Sequence, residues 1–320
     1  MKRIFIIFIF FVFSSCVSNA EKTFQNCIDT GINFPSDMFL KSGHKKKSDY
    51  FIISQDAEKK SQGNELYTDG KIYLLTVVNH DHFRIKKLKI LDRDEYPLNP
   101  YRLYYYEDRN ASRLYILNRP VSYKFVIEVF DFRNDFLKYS YRIHLDENIS
   151  ATDIYVKNPE EICVSAKFKI GFSASKLFYE TINPVTIFRG LLLYKNKVWD
   201  TINGKDEIYQ IETAGNDLYL LKDKSVEKYD LKSSEKNFYK KNLFISLKKD
   251  KPVVIAANQN SSVLVLKEKK HLKIMDVNRE TGNLMEIYRY KNNKIKLFSK
   301  LENSFFIKTH SENNLKLCRN

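Results

Sequence analysis

Short apolar runs alternate with polar turns over most of this chain. From Tyr50 to the C-terminus, runs rich in Ile, Val, Leu, Tyr and Phe recur between segments of Asn, Asp, Ser and Lys. Runs of this kind are typical of β-strands, whereas no window keeps the 3.6-residue apolar period of an amphipathic helix. The pattern therefore predicts an all-β protein.

The predicted strands also recur as a larger unit. Each unit has a strand, a polar turn, a second strand, a third strand that ends in Asp, and a fourth strand. Copies begin at Leu103, Ile154, Ile208, Val253 and Phe305, and the third strands end at Asp92, Asp131, Asp230 and Asp276. Four antiparallel strands in about 40–50 residues are typical of a propeller blade. The sequence thus predicts a β-propeller of about six blades, with seven as the alternative.

The first sixteen residues have a different pattern. Lys2 and Arg3 precede ten consecutive apolar residues, and Ser14, Ser15 and Cys16 follow. A basic start, a short apolar run and small residues at its end are typical of an export signal. The apolar run is shorter than the roughly 20 residues that a membrane-spanning helix needs. We therefore expect export of the chain.

The residues Ser14-Ser15-Cys16 resemble the lipobox of bacterial lipoproteins, in the looser form of spirochaetes, with Phe13 at the position where Leu is usual. The abundance of Lys, Asn, Ile, Phe and Tyr is also similar to proteins of such AT-rich genomes. The resemblance implies removal of signal peptide 1–15, followed by acylation of the Cys16 thiol and amine with palmitate-like chains. Cleavage after Ala20, which gives a soluble secreted protein, and retention of the segment as an anchor are the alternatives.

Residues 271–282 (HLKIMDVNRETG) resemble the repeat of quinoprotein-type propellers, and residues 226–233 are a fainter copy. More widely, the chain is similar to β-propeller lipoproteins such as the propeller subunit of the bacterial outer-membrane barrel-assembly machine. That family usually carries a docking Trp in each blade, whereas this chain has Trp199 alone. We therefore expect no quinone and no other cofactor. The predicted organisation is a signal at 1–15, the lipidated Cys16 with an irregular tether to residue 48, and a propeller at 49–320.

The net charge limits the classes of partner. The formal charge of +15 falls to +13 when Lys2 and Arg3 leave with the signal, and the basic residues are spread along the chain. Such a surface suits an acidic protein or anionic lipid headgroups. No nucleic-acid-binding motif accompanies the charge, so no nucleic-acid partner is expected.

Motifs with catalytic spacing are absent from the sequence. It has no Gly-x-Ser-x-Gly elbow, phosphate loop, dinucleotide fingerprint or His-Glu-x-x-His pair. The cluster His80-Asp81-His82 has metal-ligand residue types, but no third and fourth ligand accompany it. We interpret it as the tip of a hairpin and expect neither a metal site nor catalytic residues.

Two further polar clusters are interpreted as structural. Asp92 and Asp94 lie where a blade turn is expected, and a turn-capping role is favoured over paired carboxylate chemistry. The run Tyr104-Tyr105-Tyr106, near Arg102 and Arg109, offers an aromatic and cationic patch. Strand alternation instead sends two of the tyrosines to one face and the third to the other.

Three cysteines remain beyond Cys16. Cys163 lies between Ile162 and Val164 and is interpreted as a small buried apolar residue. Propellers commonly close by pairing their N- and C-terminal strands in one blade, which would bring Cys27 and Cys318 together. These two are the candidate disulfide.

The sequence as a whole predicts a non-enzymatic, lipid-anchored interaction scaffold of the cell envelope, at the outer membrane, with a protein partner. The resemblance implies outer-membrane protein assembly as the concrete role. The alternatives are a surface adhesin that binds host or anionic glycan ligands, and a glycan-processing propeller enzyme. Exposure to the periplasm or to the cell surface is left open.

Overall fold

The computed structural model describes residues 25–44, 47–55, 70–79, 82–121, 124–146, 149–170, 185–203, 207–230, 241–247, 250–257, 262–268, 271–290, 295–301, 304–309 and 313–319. Within these ranges every regular element is a β-strand, and the strands form six separate sheets. No helix in the described ranges has the length and apolar character required to cross a bilayer.

The strands are numbered β1 to β25 in chain order. The N-terminal strand is β1 (Gln25–Asn33). Blade 1 contains β2 (Pro35–His44), β3 (Lys47–Ser54), β4 (Lys71–Asn79) and β5 (His82–Lys87). Blade 2 contains β6 (Lys89–Leu91), β7 (Pro100–Glu107), β8 (Ser112–Val121), β9 (Lys124–Arg133) and β10 (Phe136–His144). Blade 3 contains β11 (Ile149–Asn158), β12 (Glu161–Ile170), β13 (Val185–Lys195) and β14 (Val198–Asn203).

Blade 4 contains β15 (Ile208–Ala214), β16 (Asp217–Lys222), β17 (Ser225–Asp230) and β18 (Lys241–Ser246). Blade 5 contains β19 (Lys251–Ala257), β20 (Ser262–Glu268), β21 (His271–Val277) and β22 (Leu284–Tyr290). Blade 6 contains β23 (Ile295–Leu301), β24 (Ser304–Thr309) and β25 (Asn314–Arg319), and β1 completes it.

The six sheets form a closed ring. The first strands of consecutive blades contact one another in the order β2, β7, β11, β15, β19 and β23, and β23 contacts β2 again. Within each blade the later strands follow outward in antiparallel order. The predicted all-β propeller with six blades is therefore confirmed.

One buried apolar cluster fills each junction between neighbouring blades. Strand β8 shows how one strand serves two junctions. Leu114 and Ile116 belong to the cluster between blades 1 and 2, whereas Tyr115 and Leu117 belong to the cluster between blades 2 and 3. Successive side chains of a strand point to opposite faces, so a strand buried on both faces is apolar at every position. This explains the continuous apolar runs of the middle strands.

The three consecutive tyrosines of β7 follow the same rule. Tyr105 belongs to the cluster between blades 1 and 2, whereas Tyr104 and Tyr106 pack against the cluster between blades 2 and 3. The expected alternation is therefore confirmed.

The first strands of the chain correct the predicted tether. The segment 16–48 was expected to be irregular, but β1 and β2 lie within it, at residues 25–33 and 35–44. Thr30 and Ile32 of β1 are buried, and the Thr30 hydroxyl donates to the Leu315 carbonyl 2.8 Å away. The polar residues of this segment are typical of a linker. In the folded protein, however, polar side chains such as that of Thr30 bond to the backbone of neighbouring strands. The described part of the ring begins at Gln25, and residues 16–24 lie outside the described ranges.

The strand at Asp92 is also placed differently from the prediction. Ile90 and Leu91 belong to β6, which pairs in parallel with β10 at the outer edge of blade 2. The third strand of blade 1 is β4 instead. Similarly, Phe305 lies in the second strand of blade 6, β24, rather than in the first, because β1 from the other end of the chain supplies the fourth strand.

Candidate functional site

Three charged side chains meet near the start of the first strands of blades 1, 2 and 3. Asp37, Arg102 and Asp153 form what we call the inner charge cluster. Arg102 Nη1 lies 3.8 Å from Asp37 Oδ1, and Arg102 Nε lies 3.8 Å from Asp153 Oδ1. The Asp153 side chain is 7% exposed and the Arg102 side chain 24%, so water screens these charges only in part.

Each carboxylate of the cluster also accepts a backbone hydrogen bond from the next blade. Asp37 Oδ2 accepts from the Leu103 amide at 2.9 Å, and Asp153 Oδ2 accepts from the Ile211 amide at 2.7 Å. Charge-assisted bonds of this kind are stronger than those between neutral groups. The two carboxylates therefore join blade 1 to blade 2 and blade 3 to blade 4.

The residue before each Asp completes a two-residue clip. The Ser36 hydroxyl donates to the Pro100 carbonyl at 2.8 Å, and the Thr152 hydroxyl donates to the Ile208 carbonyl at 3.0 Å. Pro100 and Ile208 are the first residues of β7 and β15, so the two clips are equivalent. A hydroxyl residue followed by Asp thus binds the start of the next first strand twice.

Arg102 connects the two clips across blade 2. Its guanidinium donates to the Ser36 carbonyl at 3.3 Å and to the Thr152 carbonyl at 3.2 Å. Gln210 has a related role at the next position, since its amide both donates to and accepts from the Ile255 backbone at 2.8 and 2.9 Å. Side chains on four consecutive first strands therefore bond blades 1 to 5 together.

Burial changes the ionisation of the cluster. Desolvation raises the pKa of Asp153 to about 7, and the Arg102 charge opposes part of that rise. Desolvation likewise raises the pKa of Asp37, again against the Arg102 charge. Asp153 thus binds a proton more readily in the folded protein than in the unfolded chain.

This shift predicts a pH-dependent contribution to stability. A carboxyl whose pKa is raised on folding stabilises the folded state most below its unfolded pKa, and the contribution is lost as pH rises toward the folded pKa of about 7. Asn imitates the protonated side chain and does not titrate. The unfolding free energy of Asp153→Asn, minus that of the parent, should therefore increase between pH 5 and 8, by up to about 1.4 kcal/mol per pH unit. Urea unfolding at four pH values measures this difference; a difference independent of pH contradicts the assignment.

Aromatic rings lie beside the charged residues on the same first strands. The Tyr104 ring meets Phe39 of β2 with centroids 4.8 Å apart and Tyr155 of β11 with centroids 5.4 Å apart, both in edge-on geometry. The Tyr104 hydroxyl lies 3.5 Å from Thr213 Oγ1, and burial raises the pKa of Tyr104 to about 12. The first three blades are therefore bonded through both polar and aromatic contacts.

A second charged group, the outer clamp, lies on blade 2 and consists of Arg93, Asp94, Glu128 and Arg142. Glu128 is fully buried and accepts two hydrogen bonds from Arg93, at 2.9 and 3.0 Å. Arg142 donates twice to Asp94, at 3.1 and 2.9 Å, and this contact lowers the pKa of Asp94. The clamp fixes the connection from β6 to β7 against the face of the blade.

The two aspartates of that connection, Asp92 and Asp94, make different contacts. Asp94 Oδ1 accepts from the Tyr96 amide at 3.3 Å, which is the turn contact expected of it. Asp92 has a positive φ of 59° and pairs with Lys138 at 3.5 Å. The sequence analysis did not identify Glu128 as a buried charged residue. The feature that could have indicated it is a single acid within the apolar run from Phe125 to Phe130.

The cluster His80-Asp81-His82, interpreted from the sequence as a hairpin tip, is only partly described. His82 is the exposed first residue of β5, whereas His80 and Asp81 lie outside the described ranges. Among the residues that the structure describes, no three His, Cys, Asp or Glu side chains converge as a metal site would require.

The two terminal cysteines are adjacent in blade 6. Cys27 of β1 pairs in register with Cys318 of β25, and a disulfide joins them. Cys163 is a free, buried thiol whose pKa burial raises to about 12. Cys16 lies outside the described ranges, so its lipidation stays a prediction.

Trp199 lies on the outer strand of blade 3 and reaches blade 2. Its ring nitrogen donates to the His144 carbonyl at 3.2 Å, and its ring packs at a tilt of 50° against Tyr194 with centroids 5.0 Å apart. The single Trp of the chain therefore contributes to one blade junction.

Comparisons with known proteins agree at the level of fold. No protein-family model matches the chain, and no curated protein matches it in sequence. The PQQ-bound aldose sugar dehydrogenase of Streptomyces coelicolor is similar over 92% of this chain and 96% of its own, with a TM-score of 0.51 and 10% identity. A putative 6-phosphogluconolactonase of Bacteroides uniformis gives a TM-score of 0.48 at 11% identity, over 89% of this chain and 81% of its own. The propeller domain of the Trilobed protease of Pyrococcus furiosus gives 0.46 at 10%, over 89% and 94%. At 10% identity the likeness to the dehydrogenase shows a shared fold and nothing about activity.

Proposed function

We propose that this protein is a non-enzymatic, lipid-anchored interaction scaffold of the cell envelope, held at the outer membrane by Cys16. The observation that carries the proposal is the position of β1. Its first residue, Gln25, follows Cys16 by only nine positions in the sequence. At 3.3–3.6 Å per residue, nine residues span at most about 32 Å. A lipidated Cys16 would therefore hold the ring close to the bilayer.

The position of β1 also determines which end of the ring lies near the anchor. As the fourth strand of blade 6, β1 runs toward the connection to the next blade, so Gln25 lies at the opposite end, with the turns between first and second strands. We call this the tether end. The other end carries the blade-to-blade connections and is left free for a protein partner.

The rigidity of the ring suits a docking role. Every junction contains a buried apolar cluster, the inner charge cluster and Gln210 bond the first five blades, and the terminal disulfide joins both ends of the chain. Binding by a preorganised surface loses less conformational entropy than binding by flexible segments. Outer-membrane protein assembly is the concrete role that the sequence resemblance suggests.

Cell fractionation tests the anchor. Cys16→Ala removes the only residue that can carry the acyl chains in this proposal, so the variant should leave membranes that are washed with concentrated salt, whereas the parent stays there. Two or more acyl chains hold a protein stably on a membrane, which explains the expected size of the effect. Cys163→Ala is the matched control, because it removes a thiol that the proposal does not use. Equal membrane retention of both variants would contradict anchoring through Cys16.

Partner capture tests the scaffold role. The lipidated protein, extracted with mild detergent, should retain an envelope protein in stoichiometric amount. Mild protease treatment of intact cells distinguishes the adhesin alternative, since a periplasmic assembly factor is protected and a surface adhesin is digested. Digestion on intact cells would reject the assembly role.

A further inference from the structure

A continuous basic segment follows the outer edge of blades 1 and 2. From position 82 to position 91 the chain (HFRIKKLKIL) contains one Arg, three Lys and no acidic residue. It forms β5 and β6, which are the outermost strands of their two sheets. The backbone therefore passes from one outer edge directly to the next.

The apolar residues of this segment hold it against the ring. Leu88 is buried in the cluster between blades 1 and 2, and its amide donates to the Ile72 carbonyl at 2.8 Å. Phe83 and Ile85 pack against the cluster between blades 6 and 1, which also contains Ile32 of β1. The segment is therefore fixed, and its basic side chains face outward.

Those outward side chains are basic and exposed. Arg84, Lys86, Lys87 and Lys89, which we call the basic rim, are all exposed to solvent. Lys86 pairs with Asp135 at 3.0 Å. Among the described residues, no carboxylate lies within ion-pair distance of Arg84, Lys87 or Lys89. Most of the positive charge of the rim is thus available to a partner.

The rim lies beside the strand that leads to the anchor. β1 and β5 are the outermost strands of neighbouring blades and border the same apolar cluster. Both strands run toward the connection to the next blade, so Gln25 and His82 lie at the same end of the ring. A short tether at Gln25 would keep the basic rim near the bilayer as well.

We propose that the basic rim binds the headgroups of anionic lipids, so that the propeller rests on the membrane on the edge of blades 1 and 2. This inference deepens the proposed function and rests on it, because the anchor at Cys16 is what brings the protein to a bilayer. A basic residue near an anionic membrane surface strengthens binding about fivefold, an effect that falls off within a Debye length. Three such residues, Arg84, Lys87 and Lys89, on one fixed segment orient the ring.

Affinity for vesicles of stated composition tests the rim. The full chain carrying Cys16→Ala lacks acyl chains and is titrated with vesicles of phosphatidylcholine, alone or with phosphatidylglycerol at a 7:3 ratio. Adding Lys87→Glu and Lys89→Glu should weaken binding to the anionic vesicles at least about 25-fold, from about fivefold per residue. The matched control is Lys224→Glu with Lys267→Glu, which changes the same charge at exposed lysines of blades 4 and 5. All these proteins share residues 1–24, so the apolar leader contributes equally to each.

Three outcomes would overturn the proposal. The two double variants lose equal affinity if net charge alone matters. If the rim does not bind lipid headgroups, the Cys16→Ala chain binds the neutral and the anionic vesicles equally. Rim-dependent binding to a sulfated glycan, without rim-dependent binding to vesicles, would identify a polymer rather than a lipid surface as the partner.

Amine labelling of the lipidated parent separates this inference from the anchor. On anionic vesicles, acetylation of Lys87 and Lys89 should slow about fivefold relative to neutral vesicles, while Lys224 and Lys267 react unchanged. An anchored protein without this protection would reject the rim and retain the scaffold. Rim-dependent vesicle binding by a protein that cells do not acylate would reject the anchor alone.

Discussion

Replacing Arg102 with Met should reduce the unfolding free energy by about 3–5 kcal/mol, because removing one partner of a buried ion pair leaves the other charge uncompensated. Here two carboxylates, Asp37 and Asp153, would lose their shared cation, and the carbonyls of Ser36 and Thr152 would each lose a donor. Met retains the aliphatic length of Arg. The loss therefore measures the charge and its hydrogen bonds rather than the volume of the side chain.

Urea unfolding measures this loss, and Arg109→Met is the matched control. Arg109 is exposed in the turn directly after the same strand, so its replacement should change stability by no more than about 0.5 kcal/mol. Adding Asp153→Asn to Arg102→Met should recover part of the loss, since it removes one of the stranded charges. Equal effects at positions 102 and 109 would show that the inner charge cluster does not hold the ring together.

The second large effect is expected at the disulfide between Cys27 and Cys318. The two residues are 291 positions apart, and the bond links nearly the whole chain into one loop. In the chain-entropy model a crosslink over so long a loop restricts the unfolded state most, and native disulfides contribute about 2–5 kcal/mol. Replacing both cysteines with Ala should therefore lower the unfolding free energy by that amount.

Intact mass and thermal unfolding check this prediction together. The exported protein should be lighter by two hydrogens than its fully reduced form, and reductant should lower its Tm to that of the double variant. Cys163→Ala should keep the response to reductant, because its buried thiol is not in the bond. Three free thiols after purification without reductant would contradict the disulfide.

The fold was predictable from the sequence because the propeller repeats one local pattern. Middle strands such as Val263–Val265 are buried on both faces, so they appear as continuous apolar runs, and their spacing gives the number of blades. The third strand that was expected to end at Asp276 was also placed correctly, since β21 covers His271–Val277. These features depend on local sequence alone.

The start of the ring was missed because its stabilising contacts are long-range. Ser36 and Asp37 resemble linker residues until Pro100 and Leu103 are brought beside them. The shared signal was a hydroxyl residue, then Asp, an apolar residue and an aromatic one, in Ser36-Asp37-Met38-Phe39 and again in Thr152-Asp153-Ile154-Tyr155. A search for repeats among polar residues, as well as apolar ones, would have placed β2 as a first strand.

Arg102 could not be assigned from sequence for a related reason. It was noticed only beside the tyrosines of its own strand, whereas its partners lie on β2 and β11. Which charges meet across a ring depends on the register of three separate blades. Glu128 is similar, because only the fold shows that Arg93 reaches it.

The mass of the mature N-terminus tests the central claim most directly, because the anchor defines the proposed role. The protein is purified from the membrane fraction of cells that export it, digested, and its N-terminal peptide analysed by mass spectrometry. We expect a chain that begins at Cys16 and carries three acyl chains. A chain that begins with an unmodified amine at Glu21 would contradict it and would make this propeller a soluble secreted protein.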